Sequence, residues 1–138
     1  MKALMEFEKI ASYEALIESK MEEIMRQDAL VKKITAALGG ETVCRSRNLD
    51  PLGTAIAKKE KLEIELAALL VESNKHTEFL KAMIDSLEKP IHIKVLYGLY
   101  LNGKKLAAIA EDEGYTYRNI CYIHDDALLA IEEILKKS

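Results

Sequence analysis

The sequence has little of what breaks helices or cross-links a chain. It has no Trp, 6 Gly and 2 Pro among 138 residues, and aromatic residues make up 6%. The two cysteines, Cys44 and Cys121, lie far apart without a CxxC spacing, and the 3 histidines are scattered. The scarcity of Gly and Pro favours an almost entirely helical, all-α protein. The cysteines and histidines predict no disulfide framework, no metal site and no cofactor.

The chain also lacks an excess of positive charge and long apolar runs. Its 20 Lys and Arg residues stand against 23 Asp and Glu residues, which gives a formal net charge of -3. The sequence as a whole therefore has no basic character that would indicate a nucleic-acid partner. No stretch approaches about 18 uninterrupted apolar residues. The first residues of the sequence already include charged side chains, among them Lys2 and Glu6. We expect a soluble, cytoplasmic protein with no membrane span and no secretory signal.

Apolar residues recur every seven positions in the N-terminal part. They are Ile10, Ile17, Ile24, Val31 and Leu38. This period predicts an amphipathic helix from about Leu4 to Leu38, which Gly39-Gly40 ends. A helix of about 35 residues is about 52 Å long, so its apolar stripe needs a partner helix.

Residues 39–53 have neither helical nor strand periodicity and predict an ordered or semi-ordered connector. Its polar side chains include Arg45, Arg47, Asn48 and Asp50. In one interpretation the arginines contact phosphate or a protein partner. In the other, which we favour, Arg47 pairs with Asp50, and Asp50 caps the next helix ahead of Pro51.

A second long pattern alternates spacings of four and three residues. Its positions are Leu62, Leu66, Leu69, Ser73, His76, Leu80, Met83 and Leu87. This is the a/d seam of a left-handed coiled coil, in which we expect His76 to set the register rather than to bind metal. Two helices alone have little core. We therefore predict that residues 1–88 form a long antiparallel helical hairpin, a coiled coil that assembles into a homodimer or higher homo-oligomer.

The pattern changes at Pro90, which suits the first turn of a new helix. Residues 90–138 form the second predicted domain. Its first helix is expected over residues 91–101, followed by a tight turn at Asn102-Gly103. Residues 105–113 predict a second short helix that Gly114 ends.

A short helix, a glycine turn and a capped third helix make up a helix-turn-helix, whose second helix can enter the DNA major groove. Thr116 is expected to cap the third helix. The outward positions of its first two turns carry the candidate base-reading residues: Tyr117, Arg118, Cys121 and Tyr122. Arg118 suits a bidentate contact with guanine. The alternative is that the glycine turn is only a packing corner in a protein that never touches DNA.

Phosphate contacts are predicted beside these base contacts. Thr116 and the free amides at the start of the third helix suit a phosphate group. Lys104 and Lys105, just before the second helix, suit the DNA backbone.

The run from Tyr100 to Arg118 resembles the fourth region of bacterial sigma factors, in which a pattern L-x-x-I-A-x-x-x-G precedes the recognition helix. With the connector Ser46–Gly53 between two long helices, the chain is similar to small sigma-like phage and prophage proteins of Gram-positive bacteria, relatives of the RinA- and ArpU-type late-gene regulators. This resemblance covers nearly the whole chain. It implies a protein of the bacterial host cytoplasm that binds double-stranded promoter DNA and regulates phage late transcription, with host RNA polymerase as a further partner.

The resemblance carries the family's recognition positions over to specific residues of this chain: Thr116, Tyr117, Arg118, Asn119 and Tyr122. The chain departs from the family at two points. Asp125-Asp126 stands where relatives tend to have basic residues, and Lys105 stands where a Ser or Thr often caps the preceding helix. From Tyr100 onward five basic residues face seven acidic ones, a net charge of -2.

Two other functions fit the sequence. The acidic balance favours a protein-protein interaction module that acts on polymerase or a sigma factor without binding DNA. A small terminase subunit of a phage combines similar parts for DNA packaging. No nucleophile elbow, phosphate loop or paired catalytic carboxylate is present, so we do not expect an enzyme. His92 and His124 are expected at the surface.

Overall fold

A computed structural model describes residues 1–39 and 46–137, without the side chains of residues 46–50. Over these residues the protein is all-α and has no strand. The elements are α1 (Lys2–Ala37), α2 (Ser46–Asp85), α3 (Pro90–Leu96), a π-helix (Tyr97–Leu101), α4 (Leu106–Glu113) and α5 (Tyr117–Lys137). None of the described helices is long and apolar enough to cross a bilayer.

Helix α2 begins earlier than the sequence predicts. The second half of the predicted connector is helical from Ser46, and Pro51 lies inside the helix. Asp50 is therefore not the cap of a helix that starts at Pro51. The helix tolerates Pro51 because, so near its N-terminus, the missing N–H removes one hydrogen bond, to the carbonyl of Arg47.

The candidate side chains of the connector cannot be placed. Arg45 lies outside the described residues, and so do the side chains of Arg47, Asn48 and Asp50. The pairing of Arg47 with Asp50, and the contact of the arginines with phosphate or a protein partner, stay predictions.

The chain divides into two compact units, whose boundaries lie inside α1 and α2 rather than at Pro90. The central unit comprises residues 13–73. The terminal unit comprises residues 1–12 and 74–138 and therefore contains both ends of the sequence given.

In the central unit, residues of α1 pair with residues of α2 in reverse order. Tyr13 donates to Glu72 (3.3 Å), Lys20 donates to Glu65 (3.4 Å) and Lys59 donates to Asp28 (2.8 Å). The two segments therefore run antiparallel. Hydrogen bonds from Lys59 and Lys32 hold the pKa of Asp28 below its ordinary value. Buried Gln27 donates its amide to the carbonyl of Ala55 (3.0 Å), so its polar group is satisfied among apolar neighbours.

The core of the terminal unit combines residues from both ends of the sequence. Ala3 and Phe7 are buried together with apolar residues of α2, α3 and α5: Leu80, Met83, Ile84, Leu96, Ala127, Leu128 and Ile131. The ring of Phe7 stacks on Tyr100, with centroids 4.6 Å apart. The backbone N–H of Ala3 donates to Glu132 (2.8 Å). A second, smaller cluster of Val95, Ile109, Ala110 and Ile120 lies under α4 and the start of α5.

Candidate nucleic-acid interface

The turn between α4 and α5 is fixed by two local hydrogen-bonding devices. Gly114 ends α4 with φ +76°, a left-handed conformation. Glycine adopts it without a steric clash because it has no Cβ. The N–H of Tyr115 then donates to the carbonyl of Ala110 (2.9 Å), which closes the helix end. At the start of α5, the backbone N–H of Asn119 donates to the hydroxyl of Thr116 (3.1 Å). The cap at Thr116 and the stop at Gly114 are therefore both confirmed.

The small cluster beneath the turn holds α4 against α5 and the π-helix. Ile109, Ala110 and Ile120 are buried, and Ile123 packs beside them. At Gly98 an added Cβ would lie 3.0 Å from Cδ1 of Ile109. Glycine at this position thus lets the π-helix approach α4 closely, which anchors the helix that precedes the turn.

The first two turns of α5 place one set of side chains inward and another outward. Ile120 is fully buried, whereas Tyr117 is 59% exposed and Tyr122 is 55% exposed. Arg118 and Asn119 are exposed as well, and Cys121 is half-buried. We call the outward set, together with Thr116, the α5 tip: Thr116, Tyr117, Arg118, Asn119, Cys121 and Tyr122. The structure thus brings six of the predicted DNA-contacting residues together, five of them exposed and Cys121 half-buried.

The side chains of the α5 tip contact one another in pairs. The Nε of Arg118 donates to the hydroxyl of Tyr122 (3.4 Å), and its Cζ lies 5.9 Å from the centre of that ring. A hydrogen bond with Cys121 raises the pKa of Tyr117. The guanidinium is thus held on the helix surface by its neighbour, with other N–H groups still open to a ligand.

The two predicted phosphate-binding lysines lie at the start of α4. Lys105 occupies the N-cap position with an extended backbone and makes no side-chain cap bond. Lys104 is exposed, and its Nζ lies 3.4 Å from Asp112. Lys94 makes a similar pair with Glu113 at 2.9 Å. Carboxylates of α4 therefore compete with any phosphate for Lys104 and Lys94.

A polar pair in the terminal unit was not expected from the sequence. The hydroxyl of Tyr100 lies 2.7 Å from Nε2 of His124, whose Nδ1 lies 3.5 Å from Asp125. Burial raises the pKa of Tyr100 to about 12 and lowers the pKa of His124. These shifts keep both rings neutral near neutral pH.

The prediction that both histidines lie at the surface is wrong. His92 is only 8% exposed, and burial lowers its pKa. His124 follows Ile120 by four residues and precedes Leu128 by four, so it shares their core-facing side of α5. This spacing is the sequence signal that could have identified it.

No cluster of three or more potential metal-ligating side chains is present among the described residues. The chain matches no family model, no curated protein and no solved structure. We therefore infer function from the α5 tip and the chemistry of its side chains.

Proposed function

We propose that this protein is a DNA-binding transcription regulator without enzymatic activity, in which α4 and α5 act as a helix-turn-helix. The observation that carries the proposal is the α5 tip. Its two tyrosines, Arg118 and Asn119 are exposed at the N-terminal end of a helix whose other side is anchored by Ile120. A recognition helix needs this combination of a rigid inner side and an open outer side with hydrogen-bonding groups.

Arg118 has the chemistry of the main base-reading residue. A guanidinium can donate two parallel hydrogen bonds to O6 and N7 of guanine, which is the commonest specific contact in the major groove. Tyr122 holds Arg118 before DNA arrives, so less side-chain freedom is lost on binding. The N–H groups of Tyr117 and Arg118, in the first turn of α5, suit a backbone phosphate. Thr116 serves as the cap that orients this turn.

The resemblance to the fourth region of sigma factors supports the same assignment. The L-x-x-I-A-x-x-x-G pattern spans Leu106 to Gly114, which in the fold is α4 and the residue that ends it. By this resemblance the target is promoter DNA of phage or prophage late genes, and host RNA polymerase is a further partner.

We propose further that the central unit is an antiparallel hairpin through which the protein self-associates. Two large apolar side chains of α2 in this unit are exposed, Ile64 by 70% and Val71 by 56%. A dimer would present two α5 tips to two half-sites about one helical turn of DNA apart. Two linked contacts raise the overall affinity, which compensates for the acidic surroundings of each tip.

The ion pairs on α4 favour one competing function. Lys104 and Lys94 are already paired with Asp112 and Glu113, so the basic charge left for phosphate neutralisation is small. A module that binds polymerase or a sigma factor, and not DNA, would have this property.

Fluorescence anisotropy with promoter fragments tests the proposal. We expect binding that weakens steeply with salt, and we expect Arg118→Ala to reduce affinity by about fivefold to about 150-fold for the specific site, with little effect on unrelated DNA. Arg26→Ala is the matched control, because Arg26 is an exposed arginine of the central unit. Absence of salt-dependent binding at low salt, together with a stable polymerase complex, would establish the competing function instead.

A further inference from the structure

Helix α2 carries a second apolar stripe, on the side opposite the one that contacts α1. Ala55 and Leu62 are buried on the inner side of the central unit. On the outer side Ile64 is 70% exposed and Val71 is 56% exposed, seven residues apart. The exposed alanines that extend the stripe are Ala57, Ala67 and Ala68. A seven-residue spacing of apolar positions is the pattern with which one helix binds another.

The outer side of α1 has no comparable stripe. Met25 of α1 is 71% exposed, but the positions seven residues before and after it carry charged side chains, Glu18 and Lys32, so no seven-residue repeat of large apolar residues forms there. This difference singles out α2 as the side of the central unit that binds a partner, since an exposed apolar stripe gains stability only when it is covered.

We propose that the outer stripe of α2, defined by Ala57, Ile64, Ala67, Ala68 and Val71, binds the same stripe of a second copy of this chain. The two α2 helices run antiparallel about a two-fold axis near Ala67 and Ala68. This inference rests on the proposed self-association and specifies its surface. A two-fold interface uses one patch twice, so the patch must complement itself.

The stripe complements itself in both shape and charge when the helices run antiparallel. An axis at Ala67 and Ala68 places the small residues where the helices cross, so the backbones approach closely, and it sets Ile64 of each chain against Val71 of the other. The flanking positions bring Lys61 of one chain to Glu72 of the other. Both side chains are exposed, and Glu72 accepts a hydrogen bond from Tyr13 of its own chain.

Sedimentation of the intact protein tests whether this stripe is the interface. We expect the wild type to dimerise and Ile64→Asp to weaken dimerisation at least tenfold, because the change places a carboxylate at the centre of the contact. Leu16→Asp is the matched control, since Leu16 is 55% exposed on α1 in the same unit, and it should leave the dimer intact. A wild type that stays monomeric, or a dimer that only Leu16→Asp disrupts, would overturn the inference.

A charge exchange tests the antiparallel register. Lys61→Glu and Glu72→Lys should each weaken the dimer severalfold, and the double variant should restore it. Tyr13→Phe removes the hydrogen bond to Glu72 without changing its charge, and it should leave the dimer unchanged. If the double variant is weaker than either single variant, Lys61 and Glu72 do not meet, and the register is wrong.

Cysteine cross-linking tests direction independently, in a background with Cys44→Ser and Cys121→Ser. Ala67→Cys should cross-link to itself, because it lies near the axis. Ile64→Cys should cross-link only when mixed with Val71→Cys. Efficient self-cross-linking of Ile64→Cys would show a parallel pair and overturn the antiparallel arrangement. DNA binding is measured separately, so a dimer of the expected geometry that binds no DNA refutes the proposed function and leaves this interface standing.

Discussion

Arg118 and Tyr122 lie one turn apart on the exposed side of α5, with the guanidinium Nε 3.4 Å from the tyrosine hydroxyl and its carbon 5.9 Å from the ring centre. The contact combines a hydrogen bond with a cation–π interaction, which is worth about 0.5–1 kcal/mol at an exposed site. A contact of this size at an exposed site contributes little to the stability of the fold.

The first prediction concerns this contact. Tyr122→Phe keeps the ring and removes the hydroxyl, so it should weaken specific DNA binding about twofold to about fivefold, while Tyr122→Ala removes both and should weaken it further. Anisotropy titrations of the three proteins on one promoter fragment check the order. Neither change should alter the free energy of unfolding by more than about 0.5 kcal/mol, because Tyr122 is exposed. Equal affinities for all three would show that Tyr122 does not position Arg118.

The second prediction concerns the cap of α5. Thr116→Ala removes the acceptor for the N–H of Asn119 and should destabilise the terminal unit by about 1 kcal/mol. Thr116→Ser and Thr116→Asp supply a replacement oxygen and should restore most of the loss. Urea unfolding followed by circular dichroism measures all three. An alanine variant as stable as the wild type would mean that the hydroxyl contributes nothing.

The third prediction concerns the turn that precedes this cap. Gly114 has φ +76°, a left-handed conformation that is unfavourable for alanine because of its Cβ. Asparagine adopts this conformation at a smaller free-energy cost than alanine. Gly114→Ala should cost about 1–2 kcal/mol, and Gly114→Asn should cost less than half of that. No described atom lies within 4 Å of an added Cβ, so conformation rather than crowding decides the effect. Equal losses for the two variants would contradict this reasoning.

The fourth prediction concerns pH. Burial lowers the pKa of His124 below its ordinary value of about 6.5. Between the folded-state pKa and about 6.5 the unfolded chain binds more protons, so the free energy of unfolding falls as the pH falls through that window. His92 has a pKa lowered in the same direction and adds to the effect.

Urea unfolding at several pH values between about 7.5 and about 5 measures how the free energy of unfolding depends on pH. His124→Gln should make the pH dependence shallower, whatever it does to the stability at neutral pH. The variant carrying His92→Gln as well should be shallower still. If the stabilities of the wild type and His124→Gln change in parallel with pH, the half-buried pair of Tyr100 and His124 does not control acid stability.

The sequence predicts the local features of this fold well. The α1 end near Leu38, the stop at Gly114 and the cap at Thr116 depend on residues within a few positions of one another, and the structure contains all three. The start of α2 is different. Pro51, preceded by Asp50, has the pattern of a helix N-terminus, and the same residues are tolerated inside the first turns of a longer helix.

The long-range contacts of the fold could not be predicted from such local patterns. Phe7 stacks on Tyr100, which lies more than ninety residues away in the sequence. The spacing of apolar residues within one helix does not predict a contact between segments so far apart. The pairing of Tyr100 with His124 is likewise set by how the helices pack. The exposed set of the α5 tip was predictable because the alternation of inner and outer residues along one helix is local.

The burial of Ala3 and Phe7 against α5 has a consequence for the order of events during synthesis. These residues leave the ribosome well before Tyr100 and Ile131, which follow them by more than ninety positions in the chain. The terminal unit can therefore complete its core only after Ile131 has been made, whereas both helical segments of the central unit, residues 13–73, are available sooner. A fragment beginning at Pro90 would lack Phe7 and leave the ring of Tyr100 uncovered, so recombinant work on α3 to α5 calls for residues 1–12 as well.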